Sequence, residues 1–187
     1  MIDRSIAYKL LGEKPPDGFV ETGPSNLDVE LEKRISRLLH RDCICYGWRA
    51  PVPTQLISGK EGRVFYGDGL VKSEEDLDKL TFPDPHDDAL YEPAREFVRK
   101  KDEFAAVFVT RAGVSPSMLC MGQTAFTYAM YDDPSLVDEI VRRYTDWSAT
   151  VVERMIGLGF DVICCTDDVA FNTGPFVTPE QFRRFLL

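Results

Sequence analysis

Short apolar runs alternate with helical patterns along this chain, and that alternation restricts the fold more than any other feature. We predict strands at about residues 19–22, 42–48, 104–110 and 161–166, with helices between them. Strands that alternate with helices indicate a parallel sheet with helical cover. The expected fold class is therefore α/β.

The length of the chain points to part of a closed barrel. A (β/α)8 TIM barrel takes roughly 250 residues, whereas this sequence has 187. The last helix begins at Thr178 and Pro179 and shows an apolar face but no ending. We therefore expect a single domain over residues 1–187 that forms about the first four βα units of such a barrel. A complete open sheet of four strands is the alternative.

The candidate catalytic residues follow the last predicted strand. A helix end at Gly159 precedes an apolar run over residues 162–166, and Asp167 and Asp168 come next. The run is typical of a strand buried on both faces. Because α/β folds place catalytic groups at the carboxyl ends of parallel strands, we predict that both acids are catalytic. The alternative is that they are solvated loop residues or cap the following turn.

A long helix is predicted to begin at Asp133-Pro134, where aspartate caps the first turn and proline suits the first helical position. Gly157 and Gly159 are expected to end it. A further helix over residues 117–131 precedes it, with Gly122 as its weak point. The side chains of the long helix that are expected to face the core recur at helical spacing: Leu136, Val137, Ile140, Val141, Tyr144, Trp147, Ser148, Val151 and Met155.

Residues 59–72 are rich in glycine. Two short β segments, 63–66 and 70–72, flank Gly67-Asp68-Gly69, and this pattern predicts a hairpin that turns at the glycines. A phosphate-binding loop is the alternative, but this stretch lacks the Gly-Lys-Ser/Thr ending and the following helix of such a loop.

The charge balance argues against nucleic acid as a general partner. The formal net charge is −9, whereas phosphate binding needs a surplus of lysine and arginine. No apolar run approaches the roughly 20 residues that span a bilayer, and the first residues lack the apolar segment of a signal peptide. We therefore expect no membrane association and a cytoplasmic protein.

The five cysteines are odd in number and show no repeated pairing pattern, which fits free thiols in a reducing compartment. Cys43 and Cys45 share one face of a predicted strand, whereas Cys164 and Cys165 are adjacent and point to opposite faces. None of these spacings is that of a four-ligand zinc site, and the chain has two histidines. We therefore expect no complete metal site within the chain, and cysteines that act as small buried hydrophobic residues.

Four stretches of the sequence carry a resemblance to a known family. They are residues 73–85, which end in Phe82-Pro83-Asp84-Pro85, then Gly113-Val114-Ser115-Pro116, then residues 131–137 and finally residues 159–180. Their order and spacing over about residues 70–187 resemble the uroporphyrinogen decarboxylase superfamily, which includes corrinoid-linked methyltransferases. The resemblance implies a TIM barrel and an enzyme that acts on a small molecule.

Within that superfamily, the residues resemble the methyltransferase branch more than the decarboxylases. Decarboxylases carry an arginine-rich signature near the first strand, whereas Arg49 and Arg111 are isolated here. At the strand end where decarboxylases have an acid followed by Ser or Thr, this chain has Asp167-Asp168, and a second carboxylate repels a polycarboxylate substrate. We therefore expect a methyltransferase-like enzyme. Uroporphyrinogen decarboxylase and a non-catalytic fragment are the alternatives.

The same resemblance implies cofactors and further site residues. The zinc ligands of the methyltransferase branch, a His-x-Cys pair and a later Cys, belong downstream of this sequence, and a corrinoid protein is the implied methyl donor. Zinc would activate the substrate nucleophile. Asp167 and Asp168 would orient the substrate at the barrel mouth. Arg111 is predicted to contact an anionic group, and Trp48 and Tyr128 are the remaining candidate substrate contacts.

Overall fold

The computed structural model describes residues 2–16, 28–59 and 64–185. The helices of this part are α1 (Arg4–Leu10), α2 (Val29–Leu38), α3 (Glu92–Arg99), α4 (Val114–Met121), α5 (Gln123–Asp132), α6 (Pro134–Leu158) and α7 (Pro179–Phe185), with 3₁₀ helices at Glu74–Lys79 and Asp88–Tyr91. The strands are β1 (Cys43–Gly47), β2 (Thr54–Ser58), β3 (Val64–Gly69), β4 (Ala105–Thr110), β5 (Val162–Cys165), β6 (Ala170–Phe171) and β7 (Gly174–Pro175).

Three of these strands form a parallel sheet in the order β1–β4–β5. Cys43 pairs with Ala105 at the start of β1 and β4, and Val107 of β4 pairs with Val162 of β5. Helices lie in the connections between them, so the predicted α/β class with a parallel sheet is confirmed. The strand order is compatible with part of a TIM barrel. The strand predicted at residues 19–22 lies outside the described residues.

Helices cover one face of this sheet. Ile44, Ala106 and Phe108 have no exposed surface and belong to the main hydrophobic core. Phe97 of α3 stacks on Phe160 with ring centroids 6.3 Å apart, and Phe160 lies 5.7 Å from Phe108. Burial of these aromatic and aliphatic side chains is the main force that holds the helices on the sheet.

The long helix α6 matches its prediction closely. Asp133 caps its first turn by accepting a hydrogen bond from the Leu136 N–H at 3.2 Å. The helix continues through Gly157 and ends at Gly159, which has a left-handed backbone with φ of 95°, so only the second of the two expected glycines is the cap. Every side chain predicted to face the core is buried: Leu136, Val137, Ile140, Val141, Tyr144, Trp147, Ser148, Val151 and Met155.

The opposite face of the sheet is open among the described residues. The register sets Cys45, Val107 and Val162 side by side on it. Cys45 and Val107 are half-buried, whereas Val162 is 48% exposed and Cys164, further along the same face, is exposed as well. The prediction that the 162–166 run is buried on both faces is therefore wrong for the described chain, because β5 is an edge strand and no described element covers its second face.

The cysteines follow from the same arrangement. All five are free thiols. Cys120 is buried and Cys43 and Cys45 are half-buried, but Cys164 and Cys165 are exposed. The expectation of buried cysteines is thus wrong for the last two, because they lie on the edge strand.

The predicted hairpin exists with a different register. β2 pairs with β3 in antiparallel fashion, and Gly67-Asp68-Gly69 forms the end of β3 rather than the turn. Gly69 is required for close packing, since a Cβ at this position would lie 2.2 Å from the carbonyl oxygen of Cys120. Gly69 therefore reports close contact between β3 and α4, and Gly67 contact between β3 and Ile57 of β2, rather than chain reversal.

The helix predicted over residues 117–131 is two helices. Gly122 has φ of 81° and separates α4 from α5, so the expected weak point is a complete break, because this backbone is costly for any residue other than glycine. Within residues 2–16, 28–59 and 64–185, no helix combines the length and the apolar character needed to cross a membrane.

Candidate active site

The carboxyl ends of the three parallel strands meet at one edge of the sheet. The Trp48 N–H donates to the carbonyl oxygen of Val109 at 3.2 Å, and the Thr110 hydroxyl donates to the carbonyl oxygen of Trp48 at 2.8 Å. On the other side of β4, the Thr166 N–H donates to the carbonyl oxygen of Thr110 at 2.8 Å. These hydrogen bonds hold the loops after β1, β4 and β5 together at the carboxyl-terminal edge of the sheet. The residues of these loops form the candidate active site.

Asp167 lies in this site with one carboxylate oxygen unsatisfied. Its Oδ1 atom is buried and has no hydrogen-bond donor among the described residues. Buried polar atoms are nearly always hydrogen-bonded, and leaving one without a partner costs about 1–3 kcal/mol. A ligand that brings an N–H or O–H donor to this oxygen would remove that cost.

Asp168 is exposed next to it and is held through its backbone. The Asp168 N–H donates to the Ser115 hydroxyl oxygen at 2.8 Å. Ser115 is buried in the first turn of α4. The loop after β5 is thereby fixed to the helix that follows β4, which leaves the Asp168 carboxylate free to face solvent or a ligand.

Two arginines occupy equivalent positions after β1 and β4. Arg49 and Arg111 are both half-buried. Burial, and next the positive charge of Arg111, lower the pKa of Arg49, whereas the neighbouring Tyr66 hydroxyl acts in the opposite direction. The carbonyl oxygen of Arg111 accepts a hydrogen bond from the Ser148 hydroxyl of α6 at 3.1 Å, which fixes its backbone.

Arg49 was treated as an isolated residue on sequence grounds, so its proximity to Arg111 was missed. A signal was present, because each arginine closely follows a predicted strand. Two such residues on neighbouring parallel strands come to the same edge of the sheet.

The other two predicted substrate contacts lie elsewhere. The Trp48 indole packs edge-on against Tyr91 and Trp147, with ring centroids 5.4 and 5.2 Å away. Its ring therefore belongs to the helix-covered core, although its backbone stands at the site. Tyr128 lies on α5 with 66% of its surface exposed, and no hydrogen bond between described residues connects it to Asp167 or Asp168. Substrate contact by Trp48 and Tyr128 stays a prediction.

The zinc implied by the sequence resemblance has no binding site in the described part of the chain. No group of three or more His, Cys, Asp or Glu residues is placed to hold a metal ion there. Cys165 and Asp167 are close in sequence, but a catalytic zinc site needs three converging protein ligands. The described residues therefore do not fit a zinc ion, and no catalytic step is assigned to one.

Comparison with family models shows which protein family this chain belongs to. The model described as uroporphyrinogen decarboxylase (URO-D) matches residues 59–187. The chain belongs to the uroporphyrinogen decarboxylase family. The matched segment contains Arg111, Asp167 and Asp168, whereas Arg49 precedes it.

Solved structures agree with this assignment at the level of the fold. A methyltransferase from Methanosarcina mazei matches with a TM-score of 0.61 and 16% sequence identity, over 97% of the URO-D chain and 62% of the methyltransferase. The chain thus spans less than two thirds of that structure's length. A comparison with curated protein sequences found no match.

Proposed function

We propose that this chain is a methyltransferase-like member of the URO-D family that acts on a small molecule at the mouth of a (β/α)8 barrel. The proposal places residues 1–187 in one barrel domain, in which β1, β4 and β5 are neighbouring strands. The acid pair at the carboxyl end of β5 is the observation that carries it. Five free thiols support a reducing compartment, and we propose the cytoplasm.

The acid pair argues for methyl transfer because of its charge. Asp167 and Asp168 are adjacent at the site, and two carboxylates repel a substrate with many carboxylates of its own. A substrate that donates a hydrogen bond, such as an alcohol, a thiol or an amine, suits the unsatisfied Oδ1 atom of Asp167. The methyl donor in this proposal is a corrinoid protein, which supplies an activated methyl group.

The described residues contribute orientation and proton acceptance in this scheme. Asp167 accepts a hydrogen bond from the X–H group that receives the methyl group and holds its lone pair toward the donor. As the X–C bond forms, the bond between the methyl carbon and its donor breaks and its electron pair stays with the donor, while the proton of X–H passes to the Asp167 carboxylate or to water. Asp168 adds negative charge beside the developing positive charge on X. Ser115 keeps the loop in place through the Asp168 N–H.

Methyl transfer from methylcobalamin tests these roles. Asp167→Asn in the full chain keeps the size of the side chain and removes its charge, and we expect at least a tenfold loss of rate, since general acid–base groups contribute about 10²–10⁴-fold. Asp168→Asn is expected to lose less because its carboxylate is exposed. Asp132→Asn, at the end of α5, is the matched control. Wild-type rates in both site variants would rule out the assigned roles.

Decarboxylation is the second candidate, because the matching family model is that of uroporphyrinogen decarboxylase. Incubation of the full chain with uroporphyrinogen and detection of stepwise carboxylate loss by mass spectrometry distinguishes the two reactions. Loss of carboxylates with no methyl transfer would replace the first proposal. Absence of both reactions would favour a binding or assembly role.

A further inference from the structure

Arg49 and Arg111 differ from the other arginines of the described chain. Neither guanidinium forms a hydrogen bond or an ion pair with a described residue. Most of the others pair with carboxylates, for example Arg142 and Arg143 with Glu139. Arginine is almost always charged and presents five donors, so these two half-buried residues offer donor groups that no described residue accepts.

The backbone brings the two side chains to the same place. Gly47 of β1 pairs with Val109 of β4, and Arg49 and Arg111 each follow two residues later. Side chains alternate along a strand, and neighbouring strands lie about 4.8 Å apart. Thr110, the residue between Val109 and Arg111, is buried on the helix-covered face. Continued past the ends of β1 and β4, this alternation puts Arg49 and Arg111 side by side on the open face, in agreement with the effect of Arg111 on Arg49.

The positive charge of Arg111 acts on Arg49. The pKa of Arg49 is lowered by burial first and by Arg111 second. Two like charges held together in a partly dehydrated place destabilise the protein unless a negative charge compensates them. Asp167 and Asp168 do not provide it, since no ion pair of 4.0 Å or less connects them to either arginine in the described chain.

Tyr66 lies near Arg49. It lies on β3, is exposed, and interacts electrostatically with Arg49. The β2–β3 hairpin thus lies near Arg49, and the Tyr66 hydroxyl is a further hydrogen-bond donor there.

We propose that Arg49 and Arg111 form a binding site for a single oxyanion group, a carboxylate, sulfonate or phosphate, with Tyr66 at its rim. Guanidinium groups bind such oxygens through paired, charge-assisted hydrogen bonds. That the oxyanion is part of the substrate rests on the proposed function, and the anion site itself does not. In that case the substrate carries one anionic group toward Arg49 and Arg111 and a hydrogen-bond donor toward Asp167.

Binding of inorganic sulfate to the full chain tests the site directly. Titration is followed by the NMR shifts of arginine Nε–H groups, and by calorimetry. We expect saturable binding that weakens at least tenfold in Arg49→Gln and in Arg111→Gln. Arg183→Gln is the matched control, because Arg183 is an exposed arginine on α7 whose guanidinium donates a hydrogen bond to the carbonyl oxygen of Pro179. Its sulfate affinity is expected to stay within twofold of wild type.

Thermal unfolding provides a second measurement that also shows whether the variants fold. Without sulfate, removing one of two repelling charges is expected to leave Tm unchanged or higher. With sulfate, Tm is expected to rise more in wild type and in Arg183→Gln than in the two site variants, whose smaller rise reflects weaker binding and the general stabilising effect of sulfate. An equal loss of sulfate binding in Arg183→Gln, or no saturable binding in wild type, would overturn the proposal.

The two proposals fail in different ways. Sulfate binding that depends on Arg49 and Arg111 without any methyl transfer would support the anion site and refute the proposed function. Methyl transfer with an unchanged KM in Arg49→Gln and Arg111→Gln would show that the substrate does not use the anion site. Asp167→Asn is expected to leave sulfate binding unchanged or stronger, since it removes a negative charge nearby.

Discussion

The backbone N–H of Asp168 donates a hydrogen bond to the Ser115 hydroxyl oxygen at 2.8 Å, and this bond connects the loop after β5 to the first turn of α4. Ser115 is 4% exposed, so water does not readily replace the hydroxyl. The position of the acid pair therefore depends on a residue that lies 53 positions earlier in the chain.

Ser115→Ala is expected to release this loop. The Asp168 amide loses its acceptor, so its hydrogen exchange accelerates, and the free energy of unfolding falls by about 1 kcal/mol. Ser117→Ala is the control, because Ser117 is also buried on α4 but donates to the carbonyl oxygen of Gly113 in its own helix. Equal exchange rates of the Asp168 amide in Ser115→Ala and wild type would show that the bond does not hold the loop.

The two glycines at the end of α6 are expected to respond in opposite ways to alanine. Gly159 has φ of 95°, which an L side chain adopts with strain, so Gly159→Ala is expected to lower the free energy of unfolding by about 1 kcal/mol. Gly157 is inside the helix with open space around it, so Gly157→Ala is expected to raise it by up to about 1 kcal/mol. Urea unfolding measures both, and effects of the same sign would contradict the assigned helix end.

Thiol labelling is expected to follow the burial of the cysteines. Burial raises the pKa of Cys120 to about 12, so this thiol stays unreactive in the native state. Cys164 is exposed on the edge strand and reacts first. Cys165 reacts more slowly, because partial burial, followed by the negative charge of Asp167, raises its pKa. Pulsed iodoacetamide labelling with peptide mass spectrometry gives the order. Protection of Cys164 would mean that another element or another molecule covers β5 in solution.

Acid is expected to weaken the ion pairs of α6. Hydrogen bonds from Arg142, and then from Arg143, lower the pKa of Glu139 from its ordinary 4.5 to about 2. Because the unfolded chain takes up this proton at higher pH than the folded chain, the stabilisation is complete above about pH 4.5 and is lost as the pH falls toward about 2. The Glu139 side chain is partly exposed, so solvent screening keeps the effect small.

Urea unfolding at several pH values between 2 and 6 measures this loss. We expect a shallower decline for Glu139→Gln than for wild type, and no change of slope for Glu153→Gln, an exposed control on the same helix. If the free energy of unfolding fell equally steeply with pH in Glu139→Gln and in wild type, the loss of stability in acid would not come from Glu139.

The local features of this fold were predictable from the sequence where residue spacing or residue type alone determines the structure. The core-facing side of α6 follows from helical spacing, and its cap at Asp133 follows from residue type. The parallel sheet follows from the alternation of strands and helices. The same alternation predicts Asp167 and Asp168 at the carboxyl end of a strand, where they follow β5, and their catalytic role stays a prediction.

Features that depend on distant contacts were missed. Arg49 lies near Arg111 because β1 pairs with β4. The position of each arginine after a predicted strand was a signal, but which two strands are neighbours is not recorded in any local pattern. Gly69 was assigned to a turn because glycine is common in turns, whereas its real requirement is the carbonyl oxygen of Cys120. The exposure of Val162 depends on what lies beside β5, and the composition of that strand carries no such information.

The parallel register has a consequence for how the chain folds. The hydrogen bond from Thr110 to Trp48 joins residues 62 positions apart, and the bond from Thr166 to Thr110 joins residues 56 positions apart. Forming such a contact closes a long loop, and the entropy lost in closing it precedes the stabilisation that the contact gives. Parallel sheets of this kind therefore fold slowly. During synthesis, β1 leaves the ribosome long before its partner strand exists. The apolar residues of β1 must therefore stay free of aggregation until β4 has been made.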